Sequence, residues 1–169
     1  MSLTNLLRIL SFQMYDGVEI LISVDNRAKS IGQKRNELMK AATGEYIVFL
    51  DDDDRVSDFY IIRVLDAIKE SNADYIAYDS LFTFNGAVPK TIKTRIGHEW
   101  GEYGVVQWQG VRHTNPIRRS MALQADFPNI SQAEDREWGR QMDNILKTQF
   151  IINEVLYFYD YNDKRNTSL

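Results

Sequence analysis

The chain has 169 residues, 44% of them hydrophobic and 26% charged, a balance suited to one globular domain with a substantial core. A net charge of −4 argues against general attraction to nucleic acid or anionic membrane, and the lack of cysteine excludes a disulfide framework and a cysteine-based zinc site. No run of about twenty apolar residues occurs, and the opening "MSLTNLLRILSFQ" is too polar for a secretory signal, so a soluble cytoplasmic protein is expected.

In chain order, residues 4–12 read as a helix ended by "YDG". Three continuous apolar runs follow, "EILISV" (19–24), "YIVFL" (46–50) and "DYIAY" (74–78), each suited to a strand covered on both faces. Between the first two, Ile31, Leu38, Met39 and Ala42 fall at helical spacing, with Gly44 as the expected stop. Between the second and third, Ile61, Leu65 and Ile68 share a helical face after a start at Ser57 and Asp58. The resulting β-α-β-α-β order predicts parallel strands with right-handed crossovers.

After Asp79 the texture changes to glycine, aromatic and β-branched residues, read as irregular strands and loops. A helix is expected over 134–147 with Trp138, Met142 and Ile145 on one face, then one or two strands in "FIINEVLYFYDY". The expectation is one α/β domain, 1–169, with unequal halves of about 1–80 and 81–169.

The run "YIVFLDDDD" drives five apolar residues into four adjacent carboxylates, which raise one another's cost of ionising. In open α/β sheets ligands sit beyond the carboxyl ends of the strands, where this run and Asp25 both fall. In an extended chain Asp51 and Asp53 point one way, Asp52 and Asp54 the other. Mg²⁺ or Mn²⁺ takes one or two carboxylates and completes its shell with water and phosphate oxygens, which suits one side of the run. Read blandly, the aspartates are a solvated loop and the acidic approach to a helix. Likewise Asp25 can simply close a turn with Asn26, Arg35 can face solvent, and Glu134 and Asp135 can decorate a helix start. His113 reads as a structural loop residue, and Trp100, Trp108 and Trp138 as two core residues or more, with sugar stacking the alternative.

Taken together, "SFQMYDGVEILISVDN", "IGQKRNELMKAATGEYIVFLDDDD" and "EDREW" resemble family 2 glycosyltransferases, which have the GT-A fold, a three-layer α/β/α sandwich on a mainly parallel sheet. The resemblance implies an inverting, metal-dependent transfer of a sugar from a nucleoside-diphosphate sugar, often a UDP-sugar, to an acceptor hydroxyl, as in polysaccharide biosynthesis. It implies that Asp53 ligates Mn²⁺ or Mg²⁺, that Asp51 contacts the ribose, and that Asp52 accompanies them in the nucleotide pocket. Asp25 then matches the residue that binds the base, Arg35 one that approaches base or diphosphate, and Asp135 the general base.

Members of that family begin with a strand and a proline-containing loop, where this sequence has only "MSL" before its first helix. Its lack is expected to expose a strand edge, weaken base recognition and favour self-association. A catalytically degenerate nucleotide-sugar or glycan-binding module is the alternative on the same fold. A haloacid-dehalogenase-like phosphatase also places D-x-D after an apolar strand, but Arg55 stands where it needs threonine or valine.

Overall fold

The computed structural model describes residues 2–99 and 101–161. Its spine is β3 (Tyr75–Phe84), the run predicted from "DYIAY" and longer than expected. Period-two alternation sends Tyr75 and Ala77 to one face and Ile76 and Tyr78 to the other, which seeds two separate cores.

On the face of Ile76 and Tyr78 lie α1 (Leu3–Ser11) and α3 (Tyr60–Ser71). Leu6, Ile9 and Leu10 of α1 and Tyr60, Ile61, Val64 and Ala67 of α3 recur at three- and four-residue spacing and are buried together. Gln13 ties the two helices: its amide donates to Ser57 O at 2.9 Å and its oxygen accepts from Ile61 N at 3.0 Å. The predicted start at Ser57 and Asp58 thus becomes a turn, and α3 opens two residues later. It closes on Asn72 in the left-handed conformation (φ 50°).

On the face of Tyr75 and Ala77 lie α2 (Ile31–Ala41), the short α4 (Arg119–Ala122) and α5 (Glu134–Ile145). Met39, Ile117, Phe127, Trp138 and Met142 pack there, with Phe127 and Trp138 stacked at 4.4 Å. Ser30 caps α2 by accepting from Gln33 N at 3.0 Å. Gly44 is not its stop. The chain turns extended at Ala42, and Glu19 accepts from Thr43 N, Thr43 Oγ1 and Gly44 N at 2.6, 2.9 and 3.0 Å. These donors hold the Glu19 carboxyl below its ordinary pKa.

Two layers of helix over a central sheet match the expected α/β/α sandwich, but the sheet is mostly antiparallel. The remaining strands are β1 (Tyr46–Ile47), β2 (Arg55–Val56), β4 (Lys90–Thr94), β5 (Gly101–Tyr103), β6 (Val106–Gln109), β7 (Ile117–Arg118) and β8 (Gln149–Tyr161). Their order is β1-β7-β3-β4-β6-β5, with β8 along the other side of β3 and β2 on β8. Among the described residues β3–β8 and β4–β6 are the parallel pairs, and the other pairings are antiparallel. The expectation of parallel neighbours fails because β7, from much later in the chain, inserts between β1 and β3.

The predicted strand 19–24 joins no ladder among the described residues. A strand exists only against a partner, and clefts of about 350 and 520 Å³ lie between this segment and residues 46–51. Ile20, Leu21, Ile22 and Val24 are accordingly exposed. For the same reason the run 46–50 forms a ladder only over Tyr46–Ile47. Among the described residues no helix is long and apolar enough to cross a membrane.

Candidate functional site

Four segments meet beyond the end of β1: α2, the aspartate run 51–54, the loop 110–116 leading into β7, and the first turn of α5. Phe49 N donates to His113 O at 3.0 Å, which sews the aspartate run to that loop.

The run does not stay extended. Asp54 N donates to Asp51 O at 3.2 Å in a turn, so the expected alternation of side chains is lost. Asp51 is partly buried and Asp54 is 3% exposed, while Asp52 and Asp53 face solvent. Tyr157 donates to Asp54 Oδ2 at 2.5 Å and receives Asp51 N at 3.4 Å, so β8 holds the turn from behind.

Arg35 is the centre of the site, not a solvent-facing residue. At 8% exposure it lies near the rings of Phe49 and Phe127, 5.9 and 5.6 Å from their centroids. Its Nη1 donates to Glu134 Oε1 at 2.6 Å, and its Nη2 donates to Asp51 Oδ1 at 2.8 Å and meets His113 Nε2 at 3.0 Å. The planar, always-charged fork suits this use of several partners in one plane.

Glu134 and Asp135 are adjacent yet serve different partners. Ala133, before them, holds a φ of 62°, a strained conformation of the kind that persists at functional sites. Glu134 turns inward to Arg35 and is 5% exposed. Asp135 keeps 29% of its side chain exposed, with its Oδ2 3.5 Å from His113 Nδ1 and 3.8 Å from Arg112 Nη2.

Two clefts share this wall. One of about 520 Å³ is lined by Asp25, Lys34, Arg35, Asp51 and Asp52. The other, about 320 Å³, is lined by Arg35, Asp51, Asp52, Asp53, His113 and Asp135. Asp25 lies at the far rim, held by Lys29 N at 2.8 Å and Lys34 Nζ at 3.1 Å. Every predicted site residue therefore faces one of two adjoining hollows, with Arg35, Asp51 and Asp52 at their junction. His113 and Arg112 are the residues that sequence reasoning missed or set aside, because a lone "RH" in an aperiodic loop carries no local signal. Of the tryptophans, Trp138 is core, Trp108 is half-buried and stacked on His98 at 4.9 Å, and Trp100 lies outside the described residues.

The electrostatics separate the four aspartates. Burial alone would raise the Asp51 carboxyl, but His113 and Arg35 more than reverse this and hold it well below the usual range. Burial, then Asp51 and Asp52, raise Asp53. Asp54 is pushed up to about 8 by burial, with Asp51 and Asp53 adding to it and Tyr157 opposing. Burial and the neighbouring guanidinium of Arg35 lower His113.

Because the folded pKa of Asp54 exceeds its unfolded value of about 3.9, its contribution to stability is complete below that value and disappears as pH rises through about 8. In chelator, Asp54→Asn should therefore melt close to wild type at about pH 4, and at about pH 9 at least about 3 °C above it. Thermal melts across this range test it; equal curves at high pH would remove the neutral buried acid.

Among the described residues no group of three or more histidine, cysteine, aspartate or glutamate side chains could enclose a metal. The donor set nevertheless fits a hard divalent cation that takes one carboxylate and fills its shell from water and phosphate. Asp53 lies on the cleft wall, where burial and then the charges of Asp51 and Asp52 raise its pKa, and a cation would offset that neighbouring charge.

Comparison with known proteins gives the fold and the family. No curated protein sequence matches the chain. Among solved structures it is similar to S. aureus TarS 1–349 in complex with UDP-GlcNAc (TM-score 0.71, 17% identity, 94% of this chain and 54% of that one). It is also similar to TarS 1–349 in complex with UDP (TM-score 0.70, 18% identity, 94% and 56%). Against S. aureus TarS itself the TM-score is 0.70 at 17% identity, covering 94% of this chain and 34% of that one. The chain thus spans about half the length of the TarS 1–349 structures, and a GT-A-like fold accommodates its mixed sheet. The family model for Glycosyl transferase family 2 matches residues 5–142, most of the length, and the chain belongs to that family.

Proposed function

We propose that the chain transfers a sugar, with inversion, from a UDP-sugar to an acceptor hydroxyl, and that a divalent cation assists. The observation that carries the reading is the convergence of Asp51 and Asp135 on opposite nitrogens of one buried imidazole, His113, at the wall of the 320 Å³ cleft. Transfer needs the donor nucleotide held on one side of the anomeric carbon and a base on the other, and carboxylates set on either side of one buried ring can serve the two.

In this reading the half formed by about 1–80 holds the donor. Asp25 lies in the larger cleft to receive the base, and Asp51 and Asp52 at the junction receive the ribose. Arg35 keeps Asp51 ionised and oriented and so acts on the nucleotide through it. Asp53 would hold Mn²⁺ or Mg²⁺, which when bound supplies charge neutralisation to the departing diphosphate. The half from about 81 onward faces the acceptor, whose hydroxyl proton Asp135 takes as the new bond forms. The exposed segment 19–24 favours self-association.

Support for a nucleotide donor also comes from the fold shared with a protein crystallised with UDP and with UDP-GlcNAc. Calorimetry with UDP tests the reading. We expect binding in Mn²⁺ that Asp53→Ala weakens at least about tenfold, a loss of about 1.4 kcal/mol or more, and that chelator weakens similarly. Heat that is absent with every nucleoside diphosphate, with and without Mn²⁺, would leave a degenerate module instead.

A further inference from the structure

The reading of Asp135 as base leaves open what aims it, and on that reading we propose that His113 is its positioning residue. Arg35 fixes the ring so that Nδ1–H points at the Asp135 carboxylate.

The tautomer follows from donor and acceptor inventory. A guanidinium can only donate, so the 3.0 Å contact between Arg35 Nη2 and His113 Nε2 is a hydrogen bond only if Nε2 offers its lone pair. A neutral ring with Nε2 unprotonated carries its proton on Nδ1. That atom is buried, has no hydrogen-bond partner of good geometry, and lies 3.5 Å from Asp135 Oδ2. The other neutral tautomer would donate to Asp51 Oδ2 at 3.3 Å, a contact the Nδ1–H ring forgoes and leaves to Arg35, but it would set an N–H against Arg35 and a bare Nδ1 lone pair against a carboxylate. A doubly protonated ring would satisfy both aspartates and place a second cation against Arg35. Burial beside that guanidinium disfavours it.

The ring cannot drift to another partner. His113 is 2% exposed, its carbonyl accepts from Phe49 N, and Thr114 O next in the chain accepts from the Tyr78 hydroxyl of β3. The positioning chain thus runs from Glu134 and Asp51 through Arg35 and His113 to Asp135. It couples the residues proposed to hold the nucleotide to the one proposed to act on the acceptor. Its closing contact is longer than a good hydrogen bond, and such contacts tighten when substrate arrives.

Asparagine ends near the Nδ1 position and can still donate to Asp135; glutamine ends near Nε2 and can face only Arg35 and Asp51. The test takes UDP release from UDP-GlcNAc, with water in the acceptor's place, and the nitrogen spectrum of the ¹⁵N-labelled rings. With two histidines in the sequence, assignment needs one variant. We expect an Nδ1–H ring at His113 whose proton resonance moves in Asp135→Asn. We expect His113→Gln to lower kcat about 10- to 100-fold, the range for outer partners of site residues, with KM for UDP-GlcNAc within about threefold. His113→Asn should restore most of that kcat. An Nε2–H ring, or a His113→Gln enzyme equal to wild type, overturns the assignment. A wild-type chain that releases no UDP would instead count against the transferase reading, while the ring spectrum still decides the tautomer.

Discussion

Arg35→Met should cost the fold about 3–5 kcal/mol, the penalty for stranding a buried charge, which corresponds to a melting point about 10 °C lower for a domain of this size. Methionine keeps the length and apolar stem of the side chain, so little packing on Phe49 and Phe127 is lost. What is lost is the counter-charge of Glu134, which is 5% exposed and cannot turn to water, and the donor to Asp51. Adding Glu134→Gln to Arg35→Met should recover at least about half of the loss, because the stranded carboxylate is then neutral. Arg35→Lys should recover little, since one ammonium cannot span Glu134, Asp51 and His113 in a single plane. Chemical denaturation of the four proteins checks this. A loss under about 1 kcal/mol in Arg35→Met would reduce the cluster to the standing of a surface pair.

That prediction was not open to the sequence alone, and the reason is physical. Helix α2 reads "IGQKRNELMKA", and its buried positions are Gly32, Arg35 and Met39, an inward stripe with a guanidinium at its centre. Hydrophobic periodicity finds apolar stripes and passes over one whose middle member is charged. Gly32 shows the same closeness: a Cβ there would fall 1.9 Å from Pro128 O. By contrast α3 and α5 carry ordinary apolar stripes, and β3 its unbroken hydrophobic run, and these three stand where the pattern puts them.

Strands depend on partners far along the chain, which no local pattern records. "EILISV" has the composition of a strand but no partner among the described residues, and the two residues of β7 have no strand signal yet divide β1 from β3. The aspartates were legible because the chemistry is written in consecutive residues. Even so, the alternation expected of an extended chain does not hold, since a turn sorts them into Asp54 within and Asp52 and Asp53 without. His113 was set aside because its meaning comes from residues 78 positions before it and 22 after, Arg35 and Asp135.

The second large effect belongs to Asp135. Asp135→Asn should lower turnover about 10²- to 10⁴-fold, the contribution of a positioned general base, and leave UDP affinity within about threefold. Asparagine is isosteric, and the partners of Asp135 are Arg112 at 3.8 Å and His113 at 3.5 Å, neither close enough for the fold to rest on the contact. The neighbouring Glu134 supplies the contrast. Glu134→Gln removes the buried counter-charge of Arg35 and should be read first in the melting curve. It should reduce turnover less than Asp135→Asn, because Glu134 is turned inward and paired with Arg35 while Asp135 stays open to the cleft. The pair therefore separates the residue proposed to do chemistry from one that builds the site, although the two are consecutive. Initial rates of UDP release from UDP-GlcNAc, alongside UDP calorimetry on each variant, make the comparison. If Asp135→Asn kept within about threefold of wild-type turnover while Glu134→Gln abolished it at full stability, the base would have to be Glu134, and the inward turn at Ala133 would have to open during the reaction.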